Sequence, residues 1–128
     1  MEIFTQGTQG SCNIKVNFVD ENNLVLGYSL FQCCCEHAGW FIADKPTFQI
    51  MEQIEEPNLE GWVFDSSYFY SGEIEADEDS YDDGLVVIFR IIKQDKERFI
   101  HLFNCHNGYY SHGFDFTLAE KVIRADQI

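Results

Sequence analysis

Apolar and polar residues alternate along most of the chain. In residues 13–19, Ile14, Val16 and Phe18 fall on one face of an extended strand, while Lys15 and Asn17 fall on the other. A period of two is typical of a half-buried β-strand. Comparable patterns predict further strands at residues 24–32, 40–43, 61–70, 98–105 and 109–117. Residues 85–92 are apolar on both faces, which predicts a central strand, and residues 118–128 fit either one helical turn or an extended edge.

Two polar clusters predict turns, and residues 47–56 change from a period of two to helical spacing. Residues 20–23 (Asp-Glu-Asn-Asn) separate the first two strands, and Asn107-Gly108 predicts a tight turn between residues 98–105 and 109–117, because both residue types tolerate a positive φ. In residues 47–56, Ile50, Met51 and Ile54 follow helical spacing. We therefore predict an α+β fold that is mainly antiparallel β, with about seven short strands in hairpins and one short helix. A single domain is expected to span residues 1–128.

Charge is concentrated in the middle of the chain. The 22 acids outnumber the 8 bases and give a net charge of −14, and no base lies between Lys45 and Arg90. Such a balance excludes the usual nucleic-acid binder, which has a basic face, and disfavours docking on anionic lipid. The acidic segment, residues 73–83, is the densest part; its acids are Glu73, Glu75, Asp77, Glu78, Asp79, Asp82 and Asp83.

The acidic segment permits three interpretations. It is a solvated connection between two strands, a surface that attracts a basic protein, or an irregular calcium site. An EF-hand loop does not fit, because Tyr81 occupies a ligand position in the registers that start at Asp77 and at Asp79. Its seven acids and Tyr109, a candidate rim residue, are the predicted partner-binding residues.

The five cysteines suggest reduced thiols. Their number is odd, and Cys33, Cys34 and Cys35 are adjacent, which makes them poor disulfide partners for one another. The first residues lack the basic and apolar regions of an export signal, and the longest apolar run, residues 85–89, is far shorter than a membrane span. We expect a cytoplasmic protein without a membrane partner.

Cysteine and histidine residues form the only other candidate chemistry. Cys33, Cys35 and His37 share one face of an extended strand, and His101, Cys105, His106 and His112 follow later. Thiolate and imidazole are zinc ligands, but Cys-x-Cys without a second pair is not a zinc signature, so buried cysteines and no cofactor are predicted. Whether Cys33, Cys35, His37, His101, Cys105 and His106 meet in space stays open. The candidate ligand site comprises Cys34, Cys35, Glu36, His37, His106, Asn107 and His112.

Two motifs carry a family resemblance. Cys34-Cys35-Glu36 before an aromatic-apolar run, together with the 107–111 motif Asn-Gly-Tyr-Tyr-Ser, resembles a small uncharacterised domain family of bacteria and their phages. The chain departs from that pattern at Cys33, where an acid is common, and at His106, where Ser is common. The resemblance implies a compact, strand-rich fold and no particular activity.

These observations favour a non-enzymatic module of inhibitor or immunity type, whose acidic face captures a basic protein. The alternative is a metal- or small-molecule-binding domain that uses the cysteine and histidine residues. No nucleophile motif is recognisable, so no catalytic residue is predicted and an enzyme is the least favoured class. The sequence leaves the oligomeric state open.

Overall fold

The protein is built from β-strands. A computed structural model describes residues 1–7, 14–30, 37–46, 53–55, 57–74, 84–105, 112–118 and 121–128, with the backbone alone for His37, Ile74 and Cys105. The strands are β1 (Glu2–Gln6), β2 (Lys15–Val19), β3 (Leu24–Ser29), β4 (His37–Ala43), β5 (Val63–Ile74), β6 (Gly84–Lys93), β7 (Lys96–Cys105), β8 (Gly113–Leu118) and β9 (Lys121–Gln127). The described residues contain no helix, so the predicted α+β class is wrong and the described chain is all-β.

The strands form two antiparallel sheets. Sheet A has the order β1-β2-β3-β8-β9, and sheet B has the order β4-β7-β6-β5. Because side chains alternate between faces, each sheet presents one apolar face to the other, and the two faces share a core as in a β-sandwich. The largest contributors are Phe18, Leu26, Tyr28, Phe114 and Phe116 from sheet A, and Ile42, Phe64, Phe89, Ile91, Ile100 and Leu102 from sheet B.

Strand β6 is central, as its sequence predicts. It lies between β5 and β7. Its residues Val86, Val87, Ile88 and Phe89 are each about 1% exposed although they alternate between the two faces. The continuous apolar run therefore corresponds to a strand buried on both sides.

The predicted helix at residues 47–56 is not found in its described part, residues 53–55. There the Ile54 N–H donates to the Ile42 carbonyl at the end of β4, at 2.7 Å, and the Ile54 side chain packs on the core. This tertiary hydrogen bond uses the N–H that a helix would direct to its own preceding turn. The remainder of that range, residues 47–52 and 56, lies outside the described residues.

The predicted hairpin between residues 98–105 and 109–117 is also wrong. Strand β7 pairs with β4 and β6 in sheet B, whereas β8 pairs with β3 and β9 in sheet A. The chain therefore crosses from one sheet to the other between Cys105 and Gly113. Strand alternation was interpreted correctly, but the identity of the pairing partner is a long-range property. Strand β1 was not predicted, and residues 118–128, which the sequence left open between a helical turn and an extended edge, contain the edge strand β9.

The strands of the two sheets end together. At one end, the Tyr28 hydroxyl of β3 donates to the Phe103 carbonyl of β7 at 2.8 Å. At the other end, the Asp20 carboxylate of the β2–β3 turn accepts from the Phe64 N–H of β5 at 2.9 Å. We call the first the connection end, because residues 7–14, 30–37, 74–84 and 105–112 join strands there. The second is the turn end, where short turns join β2 to β3 and β6 to β7, and where residues 44–62 connect β4 to β5.

Asp20 links the two sheets at the turn end. Its carboxylate accepts the N–H groups of Asn22 (3.0 Å), Leu24 (2.9 Å) and Phe64 (2.9 Å). Asn23 in the same turn has a φ of 64°, which asparagine tolerates. One buried side chain thus closes the predicted turn at residues 20–23 and ties sheet A to sheet B.

We expect Asp20→Asn to destabilise the fold by about 2–4 kcal/mol, because the amide nitrogen faces an N–H and leaves buried donors unpaired. Equilibrium urea unfolding would measure the loss. Asp95→Asn, at an exposed position in the β6–β7 turn, is the matched control and should change stability little. Equal stability of the two variants would contradict a fastening role for Asp20.

Candidate functional site

Four of the five connections that are longer than a short turn leave from the connection end, and the fifth, residues 44–62 between β4 and β5, lies at the turn end. The anchoring residues of these four are the last described residue before each connection and the first described residue after it. The pairs are Gly7 and Ile14, Leu30 and His37, Ile74 and Gly84, and Cys105 and His112. Functional residues often lie on connections held by a rigid sheet scaffold, so this end is the candidate site.

The anchors in sheet B are direct neighbours. Ile74 pairs with Gly84 across β5 and β6, Gly84 pairs with Cys105 across β6 and β7, and Cys105 pairs with His37 across β7 and β4. Opposite residues in antiparallel strands lie about 4.5–5.5 Å apart between Cα atoms. The acidic segment and the chain before His37 and after Cys105 are therefore attached to four adjacent strand ends.

Buried polar contacts lie beneath the connections at this end, and we call these contacts the floor of the site. The Nδ1 atom of His112 lies 2.8 Å from the Ser29 carbonyl oxygen, so Nδ1 carries the proton and donates it. The Asn104 side chain donates to the Ile128 carbonyl at 2.9 Å. His112 and Ile128 also exchange backbone hydrogen bonds of 2.6 and 2.9 Å. Together with the Tyr28–Phe103 hydrogen bond, these contacts hold the strand ends of both sheets in place.

The structure places the predicted site residues unevenly. His112 is 2% exposed and belongs to the floor, so its side chain has a structural role. Glu73 is exposed near the end of β5. His37 and Cys105 are register partners, and His101 lies four residues before Cys105 in β7. Outside the described residues lie Cys33, Cys34, Cys35, Glu36, Glu75, Asp77, Glu78, Asp79, Asp82, Asp83, His106, Asn107 and Tyr109.

Sequence reasoning missed Tyr28 and Asn104 as supports of the site. Tyr28 follows the apolar alternation of β3, so its pattern indicates burial but not the Phe103 carbonyl that it meets. Asn104 is 0% exposed on β7. The one sequence signal that could have identified it is an amide within a mostly apolar strand, because a buried amide needs hydrogen-bond partners.

No metal centre is formed by the described residues: no three of their His, Cys, Asp or Glu side chains are grouped to hold an ion. The same part of the chain has no helix that is long and apolar enough to cross a membrane.

Several basic residues of the described chain pair with acids on the sheet surfaces. Lys15 meets Asp115 at 2.6 Å, and Arg98 lies 3.8 Å from Asp44. Arg90 forms an ion pair with Asp65. The pairs of Arg98 and Arg90 lie toward the turn end of sheet B, whereas Lys15, the first residue of β2, lies near the connection end on sheet A. The acidic segment, with seven acids and no base, accounts for half of the net charge of −14.

The Arg90–Asp65 pair lies on the outer face of sheet B, at a bulge in β5 between Asp65 and Phe69. A hydrogen bond from the Ser67 hydroxyl has the largest effect and lowers the pKa of Asp65 below its usual value, against the opposing effect of burial; the Ser67 N–H and the Arg90 guanidinium lower it further. The Arg90 guanidinium also lies over the Tyr68 ring, 5.1 Å from its centroid. The bulge is thus fixed by a charged pair that remains ionised at neutral pH.

Among the described residues, the largest pKa change belongs to His101, which lies away from the strand ends. Its ring stacks on Phe41, with centroids 4.3 Å apart and planes 8° apart, and its Nδ1 lies 3.1 Å from the Phe99 carbonyl oxygen. Burial lowers the pKa of His101 to about 4, against the opposing effect of backbone hydrogen bonds to Phe99 and Phe41. His101 is therefore neutral at pH 7 and is part of the core.

His101 should make the fold acid-sensitive. The unfolded state binds a proton below pH 6.5, whereas the folded state does not until about pH 4. Stability is therefore full above pH 6.5 and falls as the pH drops toward 4, by about 3 kcal/mol for this one group. Urea unfolding across that pH range would measure the slope. His101→Gln should show a shallower slope, whatever its absolute stability, and an unchanged slope would contradict the assignment.

Comparisons of the chain with known protein families, curated proteins and solved structures found no match. The resemblance to the bacterial and phage domain family therefore stays a prediction.

Proposed function

We propose that the protein is a non-enzymatic interaction module that captures a basic protein with its acidic segment. One observation carries the proposal: Ile74 and Gly84 are paired in register at the ends of β5 and β6. Both ends of the connection with Glu75, Asp77, Glu78, Asp79, Asp82 and Asp83 are thereby fixed at one point of the sandwich. The negative charge is concentrated rather than spread over the surface.

Concentrated charge of this kind acts mainly on association. A basic surface is drawn toward an acidic patch, which raises the association rate and orients the encounter. Several described bases are already paired with acids on the sheets. The acidic segment itself contains no base, since no Lys or Arg lies between Lys45 and Arg90 in the sequence.

A basic protein that binds nucleic acid is the kind of partner that fits this charge. Its phosphate-binding surface carries Lys and Arg, and closely spaced carboxylates can occupy that surface in place of phosphates. This chemistry corresponds to an inhibitor or immunity protein. Tyr109 is proposed as an aromatic contact at the same end, since its connection is anchored at Cys105 beside Gly84.

The test is a charge-matched pair of variants. The end variant carries Asp77→Asn, Glu78→Gln, Asp79→Asn, Asp82→Asn and Asp83→Asn. The control carries Glu2→Gln, Glu21→Gln, Glu55→Gln, Glu60→Gln and Asp95→Asn, all of them exposed. A basic partner captured from the native host by wild type would be purified, and its association followed by stopped-flow fluorescence.

We expect the end variant to associate roughly tenfold or more slowly, with a weaker dependence on salt, because steering depends on local charge. The control should remain close to wild type although its net charge is the same. Equal rates for the two variants would remove the proposal. Equal melting temperatures would show that the folds are intact.

A metal- or small-molecule-binding site is the second candidate. It is favoured by the register pairing of His37 with Cys105, which attaches the Cys33–Cys34–Cys35 run and His106 to adjacent strand ends. Thiolate and imidazole groups from two elements are a zinc-binding set.

Elemental analysis of the purified protein separates the two candidates. We expect no tightly bound metal if the acidic segment is the functional feature. One equivalent of zinc, lost in Cys33→Ser or Cys35→Ser but retained in Cys12→Ser, would replace the first candidate by the second.

A further inference from the structure

Strand β9 is an exposed sheet edge. All seven of its residues are exposed, and among the described residues it pairs with β8 alone. Val122 is 59% exposed and Ile123 50%, and Leu118, at the end of β8, is 44% exposed. Three of the five exposed large hydrophobic residues of the described chain thus lie on this one hairpin. Exposed apolar edges are the usual places where another strand adds to a sheet.

The backbone of β9 offers hydrogen bonds to such a strand. His112 and Ile128 exchange both backbone hydrogen bonds, and bonded and non-bonded pairs alternate along an antiparallel ladder. Asp126 opposite Phe114 is therefore a bonded pair, and Ala125 opposite Asp115 is a non-bonded one. The N–H and C=O of Ala125 consequently point away from β8, toward the open edge.

A bulge in β9 gives this edge an unusual charge pattern. The register shifts by one residue between Phe116 and Thr117, so that Lys121 lies opposite Leu118 and Asp126 lies opposite Phe114. Leu118 and Phe114 are four residues apart on β8 and share a face. Lys121 and Asp126 therefore also share a face, although residues five apart in a regular strand would not.

We propose that β9 pairs antiparallel with β9 of a second copy of this chain, so that the two five-stranded A sheets form one continuous sheet. In this register Lys121 lies opposite Asp126 of the second copy, and Val122 lies opposite Ala125. The two-fold axis then passes between Ile123 and Arg124. Each contact occurs twice, and the interface is closed, as in a cyclic dimer.

The charged residues of β9 favour a second copy of the chain as the partner strand in this register. Lys121 and Asp126 form two opposite-charge cross-strand pairs, and such pairs stabilise a sheet. Arg124, beside the axis, is turned inward, with its guanidinium 3.9 Å from the centroid of the Phe69 ring, so the two arginines do not face each other at the edge. The acidic segment leaves from strands of sheet B and is not part of this edge. The dimer therefore joins surfaces that are locally not acidic, in a chain of net charge −14.

Sedimentation velocity over a concentration series at physiological ionic strength tests the proposal with three variants. We expect wild type to form a weak, reversible dimer, because a single strand pair buries less than a standard interface. Lys121→Asp should raise the dimer dissociation constant roughly tenfold, since it replaces two attractive pairs by two repulsive ones. Combining Lys121→Asp with Asp126→Lys should restore the wild-type value.

Lys96→Asp is the matched control. It makes the same charge change at an exposed position of sheet B and should leave the dissociation constant near the wild-type value. Equal weakening by Lys121→Asp and Lys96→Asp, failure of the double reversal, or oligomers that grow beyond two chains would each overturn the proposed pairing. A wild-type chain that stays monomeric throughout would overturn it as well. These results do not depend on a basic partner, so they leave the proposed function to its own test.

Discussion

The aromatic contact between the two sheets is the interaction on which the remaining architecture depends. Phe89 of β6 lies 5.3 Å from Phe116 and 6.0 Å from Phe114 of β8, measured between ring centroids, and it also meets Phe69 of β5 at 5.4 Å. Aromatic rings in such edge and tilted arrangements contribute beyond the area they bury. This cluster sets β8 against β5 and β6. With the sheets packed in this way, the hydrogen bonds of Tyr28 and Asp20 align the strand ends, and with them the connections.

The local pattern of the chain was sufficient to predict strands but not sheets. Apolar alternation located β2 and β3, a continuous apolar run located β6, and the polar residues 20–23 located a turn, because these signals act within a few residues. The helix was mispredicted since the Ile54 N–H bonds to Ile42, twelve residues away. The pattern did not decide between a helical turn and an extended edge at β9, since Val122 and Ile123 are adjacent and the bulge breaks the period of two. Edge strands are held by backbone pairing, which leaves little trace in hydrophobicity.

The candidate site was predictable in its chemistry and not in its location. The acids, cysteines and histidines are evident in the sequence, but strand order decides which of them are neighbours. Gly84, Cys105 and His37 are separated by up to 68 positions and become adjacent only because β7 lies between β4 and β6. The same strand order excluded the expected hairpin between β7 and β8. His112 was predicted as a ligand residue but has a structural role, because its ring is buried and donates a hydrogen bond to the Ser29 carbonyl.

The pairing of β5 and β6 up to Ile74 and Gly84 also bears on how this protein can vary. The entropy needed to close a connection between two strands grows only with the logarithm of its length, so doubling the length costs about 0.6 kcal/mol. Since the stem is complete before the connection begins, residues can be inserted there without shifting the register of sheet B. Descendants of this chain could thus change the length and composition of the connection end while they keep the same core.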